Sequence, residues 1–347
     1  MMRILKIFIL LSVTFICLLV TLEIYSRFIV KQPSYAFPDG YFIDNQYYGY
    51  ELAKNFKGSY SQPEFTVRID TNSQGLRDTE HKEEGDDFRI LALGDSFTFG
   101  IGVELGDTYL SLLEKMLNEN TGERKFQVIK AGIPGYSTYN ERIFLENKGL
   151  NYRPKLVLIQ FWWDDLGIDR ITYLANTGFL TTGKITNFAN FRLFLNKHFK
   201  SYAFLRRIAT VNFKKSLFSR SQQIEAQNQN DLKNKFSVTL AEFRRIQDIC
   251  RNQHIDCLFI LVPAKEFLPG KNIDNESWNK LCDLLDKNGI KGQYIDLLPV
   301  LSRARETGKD PFFRIDPHLN KIGHELVARE IYRYLKAHDN ITRGKNK

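Results

Sequence analysis

Two short loops of this sequence hold residues that together could open an ester. Gly94-Asp95-Ser96-Phe97-Thr98-Phe99-Gly100 follows a short apolar run, and Asp316-Pro317-His318-Leu319-Asn320 precedes the last helical stretch. A serine hydroxyl becomes a nucleophile when a base takes its proton, and the base needs a carboxylate to orient it. Ser96, His318 and Asp316 supply those three groups. Glycines beside the serine let the backbone approach a ligand, with free N–H groups facing a developing oxyanion. Plainer readings compete. The first loop could be a glycine-rich turn with a capping serine, and the second a histidine packed near a helix start. A phosphate loop would need a Gly-Lys-Ser/Thr ending, which is missing. A metal site from Asp316, His318 and His324 lacks metalloprotease spacing, and His324 reads as a packing or capping residue.

The elements that must position these loops follow from periodicity. Arg89 to Gly94, Phe126 to Ala131, Lys155 to Phe161, Cys257 to Val262 and Tyr294 to Asp296 read as strands, most of them apolar on both faces. Helical spacing fills the gaps: a helix capped by Asp107 and carrying Tyr109, Leu110, Leu113 and Leu117, then 138–148, 231–252, 277–287, and a last one capped by Asn320. Strands alternating with helices predict a parallel sheet covered on both sides, with its active loops at the carboxyl ends of the strands. Phe65 to Ile69 alternates like a half-buried strand, and Asn72-Ser73-Gln74-Gly75 reads as a turn.

With these residues in view, the chain resembles the SGNH (GDSL-type) hydrolases. Gly94-Asp95-Ser96-x-Thr98-x-Gly100 is similar to the family's first block. Ala131-Gly132-Ile133-Pro134-Gly135-Tyr136-Ser137-Thr138 is similar to the second, Phe161-Trp162-Trp163-Asp164-Asp165 stands in the place of the third, and 316–323 resembles the last. The resemblance implies a three-layer α/β/α sandwich with a mostly parallel sheet and hydrolysis or transfer of acyl groups. It implies Ser96 as nucleophile, His318 as base and Asp316 as its orienter. The implied oxyanion hole is the Ser96 N–H, the Gly135 N–H and Asp164, and no cofactor or metal is implied. Two departures stand out. Asp164 occupies the family's Asn position, and a single residue separates Asp316 from His318 where many members have two, a spacing shared by some membrane-associated sugar acetyltransferases. A donor at Asp164 is expected to be an acid kept protonated by burial between Trp162 and Trp163, unless the side chain turns away and two backbone N–H groups suffice. The segment 72–78 resembles one that precedes the domain in anchored bacterial members and is assigned no catalytic role.

Composition sets the rest. The chain has 347 residues, 43% hydrophobic and 26% charged, with net charge +9. Nine Lys and Arg residues and no Asp or Glu fall between Lys184 and Arg220, so the excess sits in one segment and a uniformly basic nucleic-acid binder is excluded. Phe191, Phe194, Leu195, Phe199 and Tyr202 share one helical face there. That face reads either as an ordinary docked helix or as a basic, aromatic surface for anionic lipid headgroups or an acidic glycan. Ile7 to Leu22 is apolar and free of charge between Lys6 and Arg27, with no small-residue cleavage site after it. An uncleaved transmembrane anchor is expected, with the catalytic domain outside the cytoplasm; secretion after cleavage is the alternative. Cys17, Cys250, Cys257 and Cys282 have no zinc spacing and read as free thiols.

The expected organisation is an anchor over 1–31, a β-containing stalk over 32–87, a hydrolase-like domain over 88–337 with an insertion at 166–230, and a basic tail over 338–347. The function expected first is an esterase on an acylated cell-envelope glycan or lipid. An O-acyltransferase with the same triad and a silent binding module of the same fold are the alternatives.

Overall fold

In the computed structural model of the protein, the described residues are 2–28, 37–81, 87–120, 124–167, 172–174, 180–182, 191, 194–195, 198–202, 205, 229–270 and 275–338. The chain opens on helix α1 (Met2–Phe28), long and apolar enough to cross a membrane. Two antiparallel hairpins follow: β1 (Phe42–Asn45) with β2 (Gly49–Leu52), and β3 (Ser59–Gln62) with β4 (Phe65–Arg68). The α/β part then runs β5 (Phe88–Gly94), α2 (Ser96–Phe99), α3 (Tyr109–Asn120), β6 (Phe126–Gly132), α4 (Thr138–Asn147) and β7 (Leu156–Trp162). A small hairpin, β8 (Thr172–Leu174) with β9 (Leu180–Thr182), precedes α5 (Gln229–Asn252), β10 (Asp256–Val262), α6 (Glu276–Lys287), β11 (Tyr294–Asp296), α7 (Leu298–Glu306) and α8 (Lys321–Ala337).

Five strands form one parallel sheet in the order β11-β10-β7-β5-β6. Every residue of β5 is buried, and all of β7 except Trp162, which explains their nearly unbroken apolar runs. α3 packs with α8, and α4 packs with α5. The chain steps from β5 outward to β6, then returns to place β7 on the other side of β5. That reversal opens a crevice at the carboxyl ends of β5 and β7, the usual binding position in an open α/β sheet. Asn320 caps α8 as expected, accepting from the Ile322 and Gly323 N–H groups at 2.9 and 3.2 Å. At α3 the cap is Thr108 rather than Asp107: its hydroxyl accepts from the Ser111 N–H at 3.3 Å, while Asp107 pairs outward with Lys321 at 2.6 Å.

The chain divides into two compact units, 1–35 with 184–227, and 36–183 with 228–347. Two expected boundaries shift. The segment expected as a stalk over 32–87 is, from residue 36 on, part of the larger unit. Its aromatic residues are the reason: Phe37 stacks on Tyr41 and Tyr60, and Phe37 and Tyr41 meet Phe99 edge to face. A lone two-stranded hairpin is marginal in water, and burying these rings in a shared core supplies what the strands lack. The insertion expected over 166–230 contracts to 184–227, because the β8–β9 hairpin also belongs to the larger unit. The basic tail beyond residue 338 lies outside the described residues.

Candidate active site

Ser96 is the first residue of α2, directly after β5. Asp95 caps this short helix, its Oδ1 accepting from the Phe97 N–H at 2.8 Å, and Gly100 ends it at φ +79°. Space decides the glycine at the end of β6: a Cβ on Gly132 would lie 2.2 Å from the Phe99 nitrogen, so only glycine lets the helix of the nucleophile sit against that strand. His318 reaches Ser96 from the loop before α8. Its Nε2 lies 2.7 Å from Ser96 Oγ and its Nδ1 lies 2.6 Å from Asp316 Oδ1. The same Asp316 oxygen accepts from the His318 backbone N–H at 2.9 Å, which fixes the one-residue spacing as a tight turn. With Nδ1–H donating to the carboxylate, the Nε2 lone pair faces the serine hydroxyl.

Gly135 stands in the turn after β6 at φ +84°, and a Cβ there would come within 2.8 Å of Tyr50 Oη. Among the described residues, no hydrogen bond takes up the N–H of Ser96 or Gly135. Asp95, Ser96, Gly135, Trp162, Asp164 and Thr172 line a cleft of ≈ 150 Å³. The structure thus brings Ser96, Gly135 and Asp164 to one cleft and Ser96, His318 and Asp316 to one hydrogen-bonded chain.

Asp164 is where expectation and structure part. Its side chain is exposed, in a single helical turn, Trp163–Asp165. Trp163 turns away to pack edge-on against Phe267 and beside Trp278, so the two tryptophans do not enclose the carboxyl. Asp165, not Asp164, caps the turn by accepting from the Trp162 N–H at 3.2 Å. The burial that would keep Asp164 protonated is absent. Buried acids lie behind the cleft instead. Burial pushes the Asp95 carboxyl up to about 6, against the Phe97 N–H and the charge of His318, which pull it down. Burial, with the charges of Asp165 and Asp95 added, pushes Glu141 well above the carboxylate range. His324 is committed to structure. Its Nδ1 accepts from the Tyr109 N–H at 3.1 Å, it stacks on the Tyr109 ring, and burial pulls it down to about 3.

Residues 217–347 match a family described as "SGNH hydrolase-like domain, acetyltransferase AlgX". Over that C-terminal stretch the chain is similar to SGNH hydrolase-like domains. The matched stretch takes in the Asp316–His318 loop and begins after Ser96 in the chain. Among solved structures the chain is similar to a lipase from a goat rumen metagenome, at 14% identity and TM-score 0.47, covering 71% of this chain and 97% of that one. It is similar to an acetylxylan esterase from Geobacillus stearothermophilus at 13% identity and TM-score 0.43, covering 73% and 96%. It is also similar to a lipase/acylhydrolase from Enterococcus faecalis at 17% identity and TM-score 0.41, covering 72% and 96%. No curated protein matches the chain.

Around the cleft lie residues that the motif reading passed over, and most come from the segment 37–81. Arg77 is buried, 3% exposed, and donates to four carbonyls: Phe99 and Gly100 at 2.9 Å each, Val103 at 2.8 Å and Arg68 at 2.6 Å. Three of these lie at the end of α2 and just beyond it, so one guanidinium holds the loop of Ser96. Glu64, in the β3–β4 turn, accepts from the N–H groups of Arg314 (2.8 Å), Ile315 (2.7 Å) and Asp316 (2.8 Å). It holds the loop of His318. Tyr50 of β2 donates to the Pro134 carbonyl at 2.8 Å, and Tyr136 donates back to the Tyr50 carbonyl at 2.5 Å, which fixes the turn carrying Gly135. Gln160, buried in β7, accepts from Asp95 N–H at 3.3 Å and Thr98 Oγ1 at 3.0 Å. The sequence carried one hint of this frame: Arg77 in the 72–78 run had no apolar neighbourhood of its own to explain it.

Proposed function

We propose that this chain is a membrane-anchored serine esterase that removes a short acyl group, acetyl above all, from a cell-envelope glycan or lipid. The observation that carries the reading is the hydrogen-bonded chain Asp316–His318–Ser96, whose Ser96 lines a small cleft. At ≈ 150 Å³ the cleft is smaller than the roughly 300–1,000 Å³ that encloses drug-sized ligands, which favours a short acyl group over a fatty one.

In this reading His318 Nε2 takes the Ser96 proton as Oγ bonds to the acyl carbon. The carbonyl oxygen gains the negative charge and is met by the Ser96 and Gly135 N–H groups. His318 then returns the proton to the departing sugar or lipid oxygen, and the C–O bond breaks to leave an acyl-Ser96. Water enters, loses a proton to His318 and attacks the same carbon, and the proton passes back to Ser96 as the carboxylic acid leaves.

A second reading replaces that water with a sugar hydroxyl, so that the acyl group is transferred. The match of 217–347 to a domain described as an acetyltransferase favours it. A third, a silent binding module, draws on the exposed Asp164 in the family's donor position. The deciding experiment treats the purified full-length protein with a fluorophosphonate and with an aryl acetate, with and without a glycan acceptor. Labelling of Ser96, and loss of several orders of magnitude in rate in Ser96→Ala and His318→Ala, support an acyl-enzyme. Unimpaired turnover by folded Ser96→Ala would end it. Acetylated acceptor in place of free acetate would select transfer.

The anchor reading places α1 across the membrane and the hydrolase-like unit outside the cytoplasm, where envelope glycans are. It is supported by the charge-free 7–22 run. Retention after carbonate washing, an intact N-terminus by mass spectrometry, and protease access from the outer side are the expected results.

A further inference from the structure

The anchor helix and the basic segment meet through one ion pair. The sixteen charge-free residues Ile7 to Leu22 span about 24 Å at 1.5 Å per residue. Ile24, Tyr25 and Phe28 extend the apolar length, so a hydrocarbon layer of about 30 Å ends close to Glu23 and Arg27. These two pair at 2.7 Å. Glu23 also accepts from the backbone N–H groups of Lys200 (3.1 Å) and Ser201 (2.9 Å) and from the Ser201 hydroxyl (2.6 Å). Arg27 Nη2 donates to the His198 carbonyl at 3.1 Å. The carboxylate satisfies the open N–H groups of the helical turn that starts at Lys200, and the guanidinium satisfies a carbonyl where the preceding turns end. The junction 198–201 is therefore pinned at the depth where α1 leaves the hydrocarbon.

Around that junction the side chains are of two kinds. Phe191, Phe194, Phe199 and Leu205 are exposed by 57%, 51%, 42% and 50%. Interleaved with them in sequence are the nine Lys and Arg residues of 184–220, without one acid. Water is a poor neighbour for the four apolar side chains, and an acidic glycan would meet the charge but could cover single ring faces only, leaving most of this apolar area in water. Two copies of so basic a surface repel each other. An anionic bilayer satisfies both kinds at once, with rings at the acyl boundary and cations at the phosphates.

We propose that Phe191, Phe194, Phe199, Leu205 and the junction 198–201 lie in the headgroup layer of the leaflet from which the C-terminal end of α1 emerges, and that the positive charge of this stretch of sequence selects anionic lipid. This rests on the reading of α1 as a retained anchor. The test uses the full-length protein in nanodiscs of phosphatidylcholine, with and without phosphatidylglycerol, built from ordinary or acyl-brominated lipid. The chain's three tryptophans, Trp162, Trp163 and Trp278, all belong to the hydrolase-like unit, so Phe194→Trp adds one reporter to a fixed background. The added emission is expected to be quenched by brominated lipid, about twofold or more strongly in anionic discs. Lys197→Glu combined with Lys200→Glu should abolish the difference. An added emission that is solvent-like and unquenched in both discs, while the protein stays in the disc, overturns the proposal and leaves the anchor standing. Equal quenching in both discs overturns the selection for anionic lipid. Quenching that requires no bromine marks self-association and overturns it too. Failure of the chain to remain in any disc after a carbonate wash overturns the anchor reading itself.

Discussion

The loop of Ser96 and the loop of His318 are held by opposite means. Arg77 reaches the first from inside the core and gives all its described hydrogen bonds to backbone carbonyls. Glu64 reaches the second from a partly exposed turn and accepts from three backbone N–H groups. Each matches the open polar groups of its loop: carbonyls at the end of α2, N–H groups on the approach to Asp316. The difference is in solvation. A buried clamp that is lost leaves its partners without water, whereas an exposed clamp that is lost is partly replaced by it. The nucleophile loop is accordingly the fixed half of the site and the base loop the half that tolerates change.

Removing the buried clamp is the strongest way to break that contrast. Arg77→Ala is expected to cost roughly 3–5 kcal/mol of stability, as other losses of buried charged networks do. Assayed cold, where the protein is still folded, it should lower kcat about a hundredfold with little change in KM, because the loss is of geometry and not of substrate contacts. Arg77→Lys should recover only part, since an ammonium cannot fork to several carbonyls. Urea unfolding and steady-state kinetics measure both, and wild-type values for Arg77→Ala would mean that the clamp is idle.

Asp95 sharpens the same contrast. Asp95 is buried within the nucleophile loop at about 6, against 3.8 for the free side chain. Below both values folded and unfolded chains are protonated alike. Between them the unfolded chain has shed a proton that the fold retains, so stability falls as pH rises. Above about 6 the full penalty stands, on the order of 3 kcal/mol. Asp95→Asn keeps the acceptor for the Phe97 N–H and removes the charge. Its Tm is expected to exceed wild type near neutral pH and to match it near pH 4. A constant gap across that range would place the effect elsewhere.

A smaller effect is expected at the exposed clamp. An amide oxygen accepts fewer and weaker bonds than a carboxylate, so Glu64→Gln should cost about 1 kcal/mol and lower kcat about tenfold, with Tm little moved. A loss equal to that of Arg77→Ala would erase the distinction between the loops.

Asp164→Asn should change least, and in the other direction. An exposed carboxylate in the cleft repels a developing oxyanion, and an amide can donate to it. The variant is expected to raise kcat/KM on an aryl acetate by up to about tenfold, with the alkaline limb of the pH profile unmoved. A shift of that limb would restore the protonated-acid role that the exposure of Asp164 argues against.

How much of this was legible differs from block to block. Strands β5, β6, β7 and β10 were readable because burial on both faces leaves an apolar run that few other structures produce, whereas β11 is a half-buried edge strand read from its place after a helix. Ser96 and His318 were readable because each sits in a short polar loop at the end of such a run or at a helix start. The hairpins of 42–68 were mostly missed, since short antiparallel strands pack as much by aromatic contact as by alternation. α7 was missed as well: its nine residues begin on Leu298-Pro299 and carry no capping residue. Asp164 was misread because sequence adjacency to two tryptophans says nothing about which way each ring turns.

The sequence by itself determined the chemistry available: a hydroxyl, an imidazole and a carboxylate in loops that the strand–helix alternation sends to one edge of a sheet. It also determined the charge-free helix and the concentration of basic residues in one segment, because both are properties of composition along the chain. Only the tertiary structure decided what holds the chemistry in place. Arg77 and Glu64 act on loops 22 and 250 residues away in the chain, and Tyr50 on a turn 84 residues away. No local pattern encodes such contacts. They exist because the rings of 37–60 bury against the core of the larger unit, and once there they carry their polar neighbours to the three loops of the site.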